Sequence, residues 1–231
     1  MMNKILQGTI VLITGGAGGI GSATAILLAQ RGASVAIADI QEAAAQELAQ
    51  RITQDGGNAK AYAVDVTDVK AVQALVGAVV TDFGKLDVLV NSAGVMLIRP
   101  LTETNVEEWN TTIDLNLKGT LWQIAAALPV FEKQGSGHFI NLGSVHGLKV
   151  FSPGGAVHSA SKFAVRAIAE GLRVEVGSAI RVTTISPGAV DTGIQNKTQG
   201  TEMNLKHGFS PRQIETILAG GTLNYTMAKA K

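Results

Sequence analysis

The chain has 231 residues, of which 46% are hydrophobic and 27 are glycine, enough to bury the core of one α/β domain. The formal net charge is +1 and lysine and arginine form no cluster, which excludes an electrostatic footprint for nucleic acid or an anionic membrane. Because the sequence contains no cysteine, disulfides and thiolate metal sites are excluded, which fits a reducing compartment.

The N-terminal apolar run ILQGTIVLI, residues 5–13, does not have the pattern of a targeting or membrane segment. Polar residues interrupt it, glycines follow it closely, and no apolar stretch of about 18 residues occurs anywhere in the sequence. We therefore expect a cytoplasmic protein whose partners are small molecules, with neither a nucleic acid nor a membrane as a partner.

Short apolar segments rich in β-branched residues alternate with helical patterns along most of the chain. This alternation is typical of a parallel sheet covered by helices on both faces. Six segments are predicted strands: residues 9–14, 34–39, 59–64, 86–91, 137–142 and 181–186. The sequence therefore predicts a three-layer, doubly wound Rossmann-type α/β fold.

Residues 69–83 show helical periodicity between the third and fourth predicted strands. Five apolar residues recur there on one face: Val69, Val72, Val76, Val79 and Phe83. This spacing predicts a helix that packs against the core.

The chain shows no internal repeat and no low-complexity linker, so we expect a single domain over residues 1–231. After Thr192 the pattern changes. The tail contains one short amphipathic piece near residues 211–218 and no convincing final strand.

The glycine-rich stretch TGGAGGIG, residues 14–21, follows the first predicted strand and opens a helix. Glycine permits positive φ and a close approach to a pyrophosphate, while the helix N-terminus offers free N–H groups. The spacing of Gly15, Gly19 and Gly21 differs from the usual G-x-G-x-x-G pattern. The stretch therefore predicts a dinucleotide site, with a tight strand-to-helix turn as the alternative.

Asp39 closes the second predicted strand, where a carboxylate can accept hydrogen bonds from ribose hydroxyls. The same carboxylate would repel a 2′-phosphate, and no arginine or lysine stands beside it in the sequence. The sequence therefore favours NAD(H) over NADP(H). The alternative is that Asp39 only caps the following helix.

Further motifs follow in a fixed order. They are DV at residues 65–66, NSAG at 91–94, Asn116 in DLNLKG, Ser144 in NLGSVHG, Lys162 in HSASK, and PGAVDT at 187–192. Together with the glycine-rich stretch, this series resembles the short-chain dehydrogenase/reductase family over residues 8 to about 192. In that family an Asn, a Ser, a Tyr and a Lys form the active site, and here His158 stands at the tyrosine position.

The resemblance implies an NAD(H)-dependent oxidoreductase that transfers a hydride between the nicotinamide and a secondary alcohol or ketone. It implies four catalytic positions: Asn116, Ser144, His158 and Lys162. It implies the following cofactor-binding positions: Gly15, Gly18, Gly19, Ile20, Gly21, Asp39, Ile40, Asp65, Val66, Asn91, Ala93, Gly94, Lys162, Pro187, Gly188, Val190 and Thr192. Residues 65–66 are expected beside the adenine, and residues 187–192 over the nicotinamide.

Individual roles also follow from the resemblance. Ser144 is expected to polarise or hold the substrate oxygen, Asn116 to organise a water or backbone link behind Lys162, and Lys162 to bind the nicotinamide ribose. His146, two residues after Ser144, has two interpretations: a second imidazole that faces the substrate, or a solvated loop residue.

His158 and Lys162 are four residues apart, which places both side chains on one face of a helix. An ammonium lowers the pKa of a nearby imidazole from about 6.5, so we expect His158 to be neutral at pH 7. A neutral imidazole accepts a proton, as alcohol oxidation requires, but donates one poorly. Because its tip lies roughly 2 to 3 Å closer to its backbone than a phenol oxygen, we expect a bridging water.

Three interpretations of His158 stay open at this point. The protein is an oxidoreductase with impaired or altered proton transfer, a catalytically silent NAD(H)-binding protein that acts in sensing or partner binding, or an ordinary enzyme into which the histidine was introduced. No carboxylate or histidine cluster has metal-ligand spacing, so no metal is expected.

The resemblance also implies an assembly. In the family two helices, here at about residues 106–134 and 157–177, commonly pair across a two-fold axis, while the last strand and its helix build the other tetramer contact. Because the tail lacks an evident last strand, a homodimer is favoured over a homotetramer.

Overall fold

The computed structural model of the chain describes residues 4–151, 153–190 and 192. All of these lie in Met1–Gln199, the first of two units into which the chain divides. The single domain over residues 1–231, the amphipathic piece near residues 211–218 and the missing final strand involve residues outside this described part, so they stay predictions.

Six parallel strands form one sheet in the order β3-β2-β1-β4-β5-β6. The strands are β1 (Ile10–Thr14), β2 (Ser34–Asp39), β3 (Asn58–Ala63), β4 (Val88–Asn91), β5 (Gly137–Leu142) and β6 (Ile180–Ile185). All six predicted strands are confirmed: β2 and β5 have the predicted ends, and the ends of the other four differ by at most two residues.

Helices connect and cover the strands. In the described residues they are α1 (Gly19–Gln30), α2 (Glu42–Gln54), α3 (Val69–Phe83), α4 (Val106–Ile113), α5 (Gly119–Gln134) and α6 (Ala156–Glu175). A π-helical segment, Asp114–Lys118, joins α4 to α5, and short 3₁₀ turns form at Leu101–Glu103 and Val145–Gly147.

The helix predicted over residues 69–83 has the predicted ends. The Asp68 carboxylate accepts hydrogen bonds from the backbone N–H groups of Lys70 and Ala71, which satisfies the first turn. Gly84 ends the helix with a φ of 82°, a conformation that glycine adopts without steric cost.

Two apolar cores cover the two faces of the sheet. Leu12 packs into the core shared with α3, α5 and α6, and its neighbour Ile13 packs into the core shared with α1 and α2. Both side chains are fully buried. This burial on both faces explains why the strands appear in the sequence as continuous apolar runs, and it confirms the doubly wound, three-layer prediction.

Strand β3 forms one edge of the sheet. The exposed Lys60 and the partly buried Tyr62 both bond Asp82 on α3, with Lys60 Nζ 2.7 Å and the Tyr62 hydroxyl 2.6 Å from the carboxylate. The edge strand is therefore tied to the helix that covers it.

From β1 the chain adds β2 and β3 on one side of the sheet and then crosses back to add β4, β5 and β6 on the other side. In an open parallel sheet, the connections after the two central strands run to opposite faces of the sheet. They leave a crevice between them at the carboxyl ends of those strands. Both the glycine-rich stretch after β1 and the motif NSAG at the end of β4 lie at this crevice.

Candidate active site

The glycine-rich turn after β1 lies directly against the loop after β4. Gly15 has a φ of 61°, and a side chain there would place its Cβ 2.7 Å from the Ala93 Cα. A Cβ on Gly21 would overlap the Gly15 carbonyl oxygen, so glycine is also needed where α1 meets the turn. The Gly16 N–H donates to the Ala38 carbonyl at 3.0 Å, which fixes the turn to β2.

The last predicted motif reaches the same turn. A Cβ on Gly19 would lie 2.7 Å from the Thr192 Cβ, so residues 192 and 19 are in close contact. Earlier in the motif, the Pro187 carbonyl accepts a hydrogen bond of 3.0 Å from the Val145 N–H. The structure thus brings the first and last motifs of the series together.

Asp39 is buried at the end of β2, with 6% of its surface exposed. One carboxylate oxygen accepts from the Ala17 N–H in the glycine-rich turn and the other from the Gln41 N–H, both at 3.0 Å. Each oxygen keeps a further lone pair, so the carboxylate can still accept a ribose hydroxyl. The next residue, Ile40, is 68% exposed.

Residues 65–66 follow β3. Asp65 is exposed and accepts hydrogen bonds from the Thr67 N–H and hydroxyl at 2.9 and 2.7 Å, which closes a tight turn. Val66 is buried and would contact a Cβ on Gly119. The structure gives both residues a local role, and their place beside an adenine stays a prediction.

The motif NSAG links the glycine-rich turn to the predicted catalytic residues. Ala93 lies against Gly15, and the next residue, Gly94, lies between two catalytic positions: a Cβ there would be 3.1 Å from Asn116 Oδ1 and 3.7 Å from Lys162 Nζ. Asn91, at the end of β4, is buried and donates to the Asn141 carbonyl oxygen Oδ1 at 2.7 Å. One loop therefore touches both halves of the predicted site.

Asn116 lies in the π-helical segment and is 1% exposed. Its amide bonds the Val95 backbone in both directions, accepting from the N–H at 2.8 Å and donating to the carbonyl at 2.9 Å. It also donates to Ser161 Oγ at 3.1 Å. Asn116 therefore bonds the Val95 backbone and α6, and a link from it behind Lys162 stays a prediction.

Lys162 is buried on α6, and its Nζ donates to the Leu142 carbonyl at the end of β5 at 2.9 Å. Burial disfavours the charged form and lowers the pKa of Lys162 to about 8. The ammonium is still largely charged at pH 7.

His158 is 4% exposed, and its Nδ1 is buried with no hydrogen-bond partner among the described residues. Its pKa is lowered to about 4, first by burial, then by the charge of Lys162 and by His146, while the Val95 backbone acts in the opposite direction. The direction agrees with the sequence prediction, but the cause is corrected: burial outweighs the Lys162 ammonium. The imidazole is neutral at pH 7.

His146 and Ser144 share the 3₁₀ turn after β5. The Ser144 oxygen accepts from the His146 N–H at 3.1 Å, which leaves the serine hydrogen free to donate. The His146 ring is half-buried and packs edge-to-face against His158 and Phe151, each with ring centres 5.4 Å apart. The His146 ring therefore packs against two neighbouring rings and is not fully solvated.

Three contacts at the site escaped sequence reasoning. Ser159 Oγ lies 3.1 Å from His146 Nδ1, Ser161 Oγ donates to the His158 carbonyl at 2.7 Å, and the Val95 backbone pairs with Asn116. Ser159 and Ser161 stand in the HSASK stretch, but which face of α6 binds which neighbour depends on tertiary packing. The stretch itself gave no such signal.

Taken together, the carboxyl ends of β4 and β5 and helix α6 place a neutral imidazole, a serine hydroxyl and an ammonium at one crevice. These groups can accept a proton, hold an oxygen and bind hydroxyls. Within residues 4–151, 153–190 and 192, no set of three or more histidine or carboxylate ligands is placed to hold a metal ion. No helix in that part of the chain is long and apolar enough to span a bilayer.

The sequence matches known oxidoreductases. The family model for short chain dehydrogenase matches residues 9–203. An uncharacterized oxidoreductase of Staphylococcus saprophyticus is 43% identical over 205 residues, which are 87% of this chain and 82% of the relative. An uncharacterized oxidoreductase of Staphylococcus aureus is 41% identical over 191 residues, covering 82% of this chain and 81% of the relative.

Solved structures agree with these matches. The NAD⁺-bound structure of xylitol dehydrogenase superposes with a TM-score of 0.81 at 29% identity, covering 94% of this chain and 85% of that one. Levodione reductase superposes with a TM-score of 0.78 at 29% identity, covering 81% of this chain and 74% of that one.

The burial of His158 predicts a pH dependence of stability. The pKa of His158 is about 4 in the folded protein and about 6.5 in an unfolded chain, so between these values the unfolded chain binds more protons. The free energy of unfolding therefore falls as the pH is lowered through this window. Between pH 7.5 and 4.5 this loss amounts to about 2 to 3 kcal/mol.

Urea unfolding of the native protein and of His158→Tyr at pH 7.5 and 4.5 measures this contribution. Tyrosine does not titrate in this range, so the variant should lose less stability than the native protein. His138 and His146, whose pKa values burial also lowers, are present in both proteins and act as an internal control. An equal loss in both proteins would show that His158 is not buried.

Proposed function

Because the chain belongs to the short-chain dehydrogenase/reductase family of oxidoreductases, we propose that it is an NAD(H)-dependent enzyme that interconverts a secondary alcohol and a ketone. One observation carries this proposal. The glycine-rich turn contacts the loop after β4 at Ala93, and the next residue of that loop lies against Asn116 and Lys162. The predicted cofactor-binding positions therefore lie next to the predicted catalytic positions.

The residues present fit a nicotinamide dinucleotide. Gly15 and Gly21 are positions where no side chain has room, which lets the backbone approach a pyrophosphate. The Asp39 carboxylate is held by two backbone N–H groups and retains acceptor capacity for the ribose hydroxyls. When bound, the nicotinamide would supply the acceptor or donor of the hydride.

The negative charge of Asp39 favours NAD(H) over NADP(H), which carries a 2′-phosphate. The neighbours of Asp39 in the sequence are Ala38 and Ile40, and neither offers a cation to a 2′-phosphate. The xylitol dehydrogenase to which the chain is similar was solved with NAD⁺.

The chain's own residues would move the proton. During alcohol oxidation the hydroxyl proton passes to the neutral imidazole of His158, directly or through one water, while the Ser144 hydroxyl donates to the same oxygen. The Lys162 ammonium, which follows His158 by four residues on α6, stabilises negative charge that develops there. A neutral imidazole favours this direction over ketone reduction, which needs a proton donor.

The cofactor preference is tested at Asp39. Calorimetric titration should show that the native protein binds NADH more tightly than NADPH, because the carboxylate pairs with ribose hydroxyls and repels a phosphate. Asp39→Asn should reduce this ratio by about tenfold or more, as expected for a hydrogen bond to a charged group. Asp55→Asn, at an exposed aspartate after α2, provides the charge-matched control and should preserve the ratio.

The ratio of the two affinities is the informative quantity, because damage to the glycine-rich turn would weaken both nucleotides alike. Equal affinities in the native protein, or an Asp39→Asn variant with an unchanged ratio, would contradict the proposed preference.

The role of His158 is tested by restoring the phenol. His158→Tyr should raise kcat for a secondary alcohol or ketone by at least about 10²-fold, because it improves both the reach and the pKa of the acid/base group. NADH affinity should change little, since most cofactor contacts come from other residues. The same substitution at His138, a β5 residue bonded to Thr183, is the matched control and should leave kcat unchanged.

Two other results separate the alternatives. If the native protein turns over as fast as His158→Tyr, then the histidine itself is an effective base. If both proteins bind NADH and neither turns over an alcohol or ketone, then the chain is a catalytically silent NAD(H)-binding protein.

We also propose that the chain forms a homodimer through α4, α5 and α6. These helices expose apolar side chains, with 53% of Val106, 37% of Leu121 and 43% of Phe163 accessible. Burying such residues between two copies removes them from water. A homotetramer is the alternative.

Light scattering should give twice the mass of one chain for the native protein. Phe163→Glu should lower the mass toward that of a single chain, because it would bury an unpaired charge. Leu27→Glu, at an exposed position on α1, is the control and should remain dimeric. A native monomer or a stable tetramer would contradict the dimer.

A further inference from the structure

The pair His146–Ser159 is the part of the site that the proposed function does not use. Ser159 lies on α6 next to His158 and is 1% exposed, and its hydroxyl lies 3.1 Å from His146 Nδ1. Among the described residues the hydroxyl has no other hydrogen-bond partner. Water does not reach it, so its single hydrogen has one acceptor, the imidazole nitrogen Nδ1.

This hydrogen bond selects the tautomer of His146. If Ser159 donates to Nδ1, that nitrogen carries a lone pair, and the neutral ring carries its hydrogen on Nε2. Burial lowers the pKa of His146, which keeps the ring neutral at pH 7. Nε2 has no partner among the described residues and is not one of their buried unpartnered atoms. His146 therefore offers an N–H donor at the surface of the crevice.

The position of this donor is set by two contacts. The His146 backbone N–H holds the Ser144 oxygen at 3.1 Å, and its ring centre lies 5.4 Å from that of His158. At this distance the two rings are in edge-to-face contact. The turn that carries Ser144 therefore also places the His146 ring directly against His158.

We infer that His146 is a further catalytic residue, whose Nε2–H donates a hydrogen bond to the reacting oxygen of the substrate while His158 accepts the proton from that oxygen. This inference rests on the proposed function. In alcohol oxidation the O–H bond breaks, a new N–H bond forms on His158, and the hydride leaves the carbon for the nicotinamide. His146 gives up no proton; with Ser144 it stabilises the charge that builds on the oxygen.

In this arrangement His158 accepts the proton and His146 donates a hydrogen bond to the oxygen. At the start of alcohol oxidation the neutral imidazole at position 158 can only accept a hydrogen bond from the substrate hydroxyl at the nitrogen that takes the proton. The donor comes from a second ring, and Ser159 acts as a positioning residue because it reaches the substrate only through His146.

The first test measures the tautomer without any turnover. Nitrogen chemical shifts of the His146 ring, recorded by NMR on the full chain near pH 7.5, should show hydrogen on Nε2. Ser159→Ala should shift the ring toward a mixture of the two tautomers, since the hydroxyl that selects one of them is gone. A native ring with its hydrogen on Nδ1 would overturn the inference.

The second test measures the oxidation of 2-butanol with NAD⁺. His146→Phe retains a ring that can pack against His158 and removes the donor, so kcat should fall by at least about tenfold. Ser159→Ala should cause a smaller fall, and His138→Phe, the matched control, should cause none. A His146→Phe variant within about twofold of the native kcat, with thermal unfolding unchanged, would overturn the inference.

Failure of the proposed function gives a different pattern. In that case no variant, His158→Tyr included, oxidises 2-butanol although NADH binds. The tautomer measurement then decides this inference alone: hydrogen on Nε2 retains His146 as the donor of the crevice, and hydrogen on Nδ1 removes it.

Discussion

The paired hydrogen bonds between the Asn116 amide and the Val95 backbone are the contact on which the geometry of the site depends. They join the π-helical segment before α5 to the loop after β4, and the bond to Ser161 extends the connection to α6. Both the donor and the acceptor of this buried amide are paired. Its orientation is therefore fixed, because any shift would leave a polar atom without a hydrogen-bond partner where water does not reach. Three elements that are distant in sequence therefore keep one relative placement.

The π-helical segment positions the Asn116 amide toward the Val95 backbone. One extra residue per turn locally widens the helix, and such bulges occur often at functional sites. Asn116 is buried at this widening, and Gly94 leaves room for it beside Lys162. A larger residue at position 94 would push against the amide and the ammonium together, so the position of the proton-handling groups depends on a residue that carries no side chain.

Sequence reasoning succeeded where a residue's role follows from local pattern. Leu12 and Ile13 identify a strand buried on both faces, and Asp68 and Gly84 mark the ends of α3. The spacing of motifs likewise located the glycine-rich turn. It could not predict that burial, more than Lys162, lowers the pKa of His158, because burial depends on all neighbouring elements at once. For the same reason the bond between Ser159 and His146 became visible only in the fold.

The salt bridge from Lys60 to Asp82 on edge strand β3 has a consequence for solubility. A strand at the border of a sheet offers unpaired backbone groups to any other chain, and a lysine charge on that strand opposes such pairing because two copies would bring like charges together. Since Lys60 remains half exposed, this edge is unsuited to contact between subunits. Pairing of this edge with the same edge of a second copy is thereby opposed.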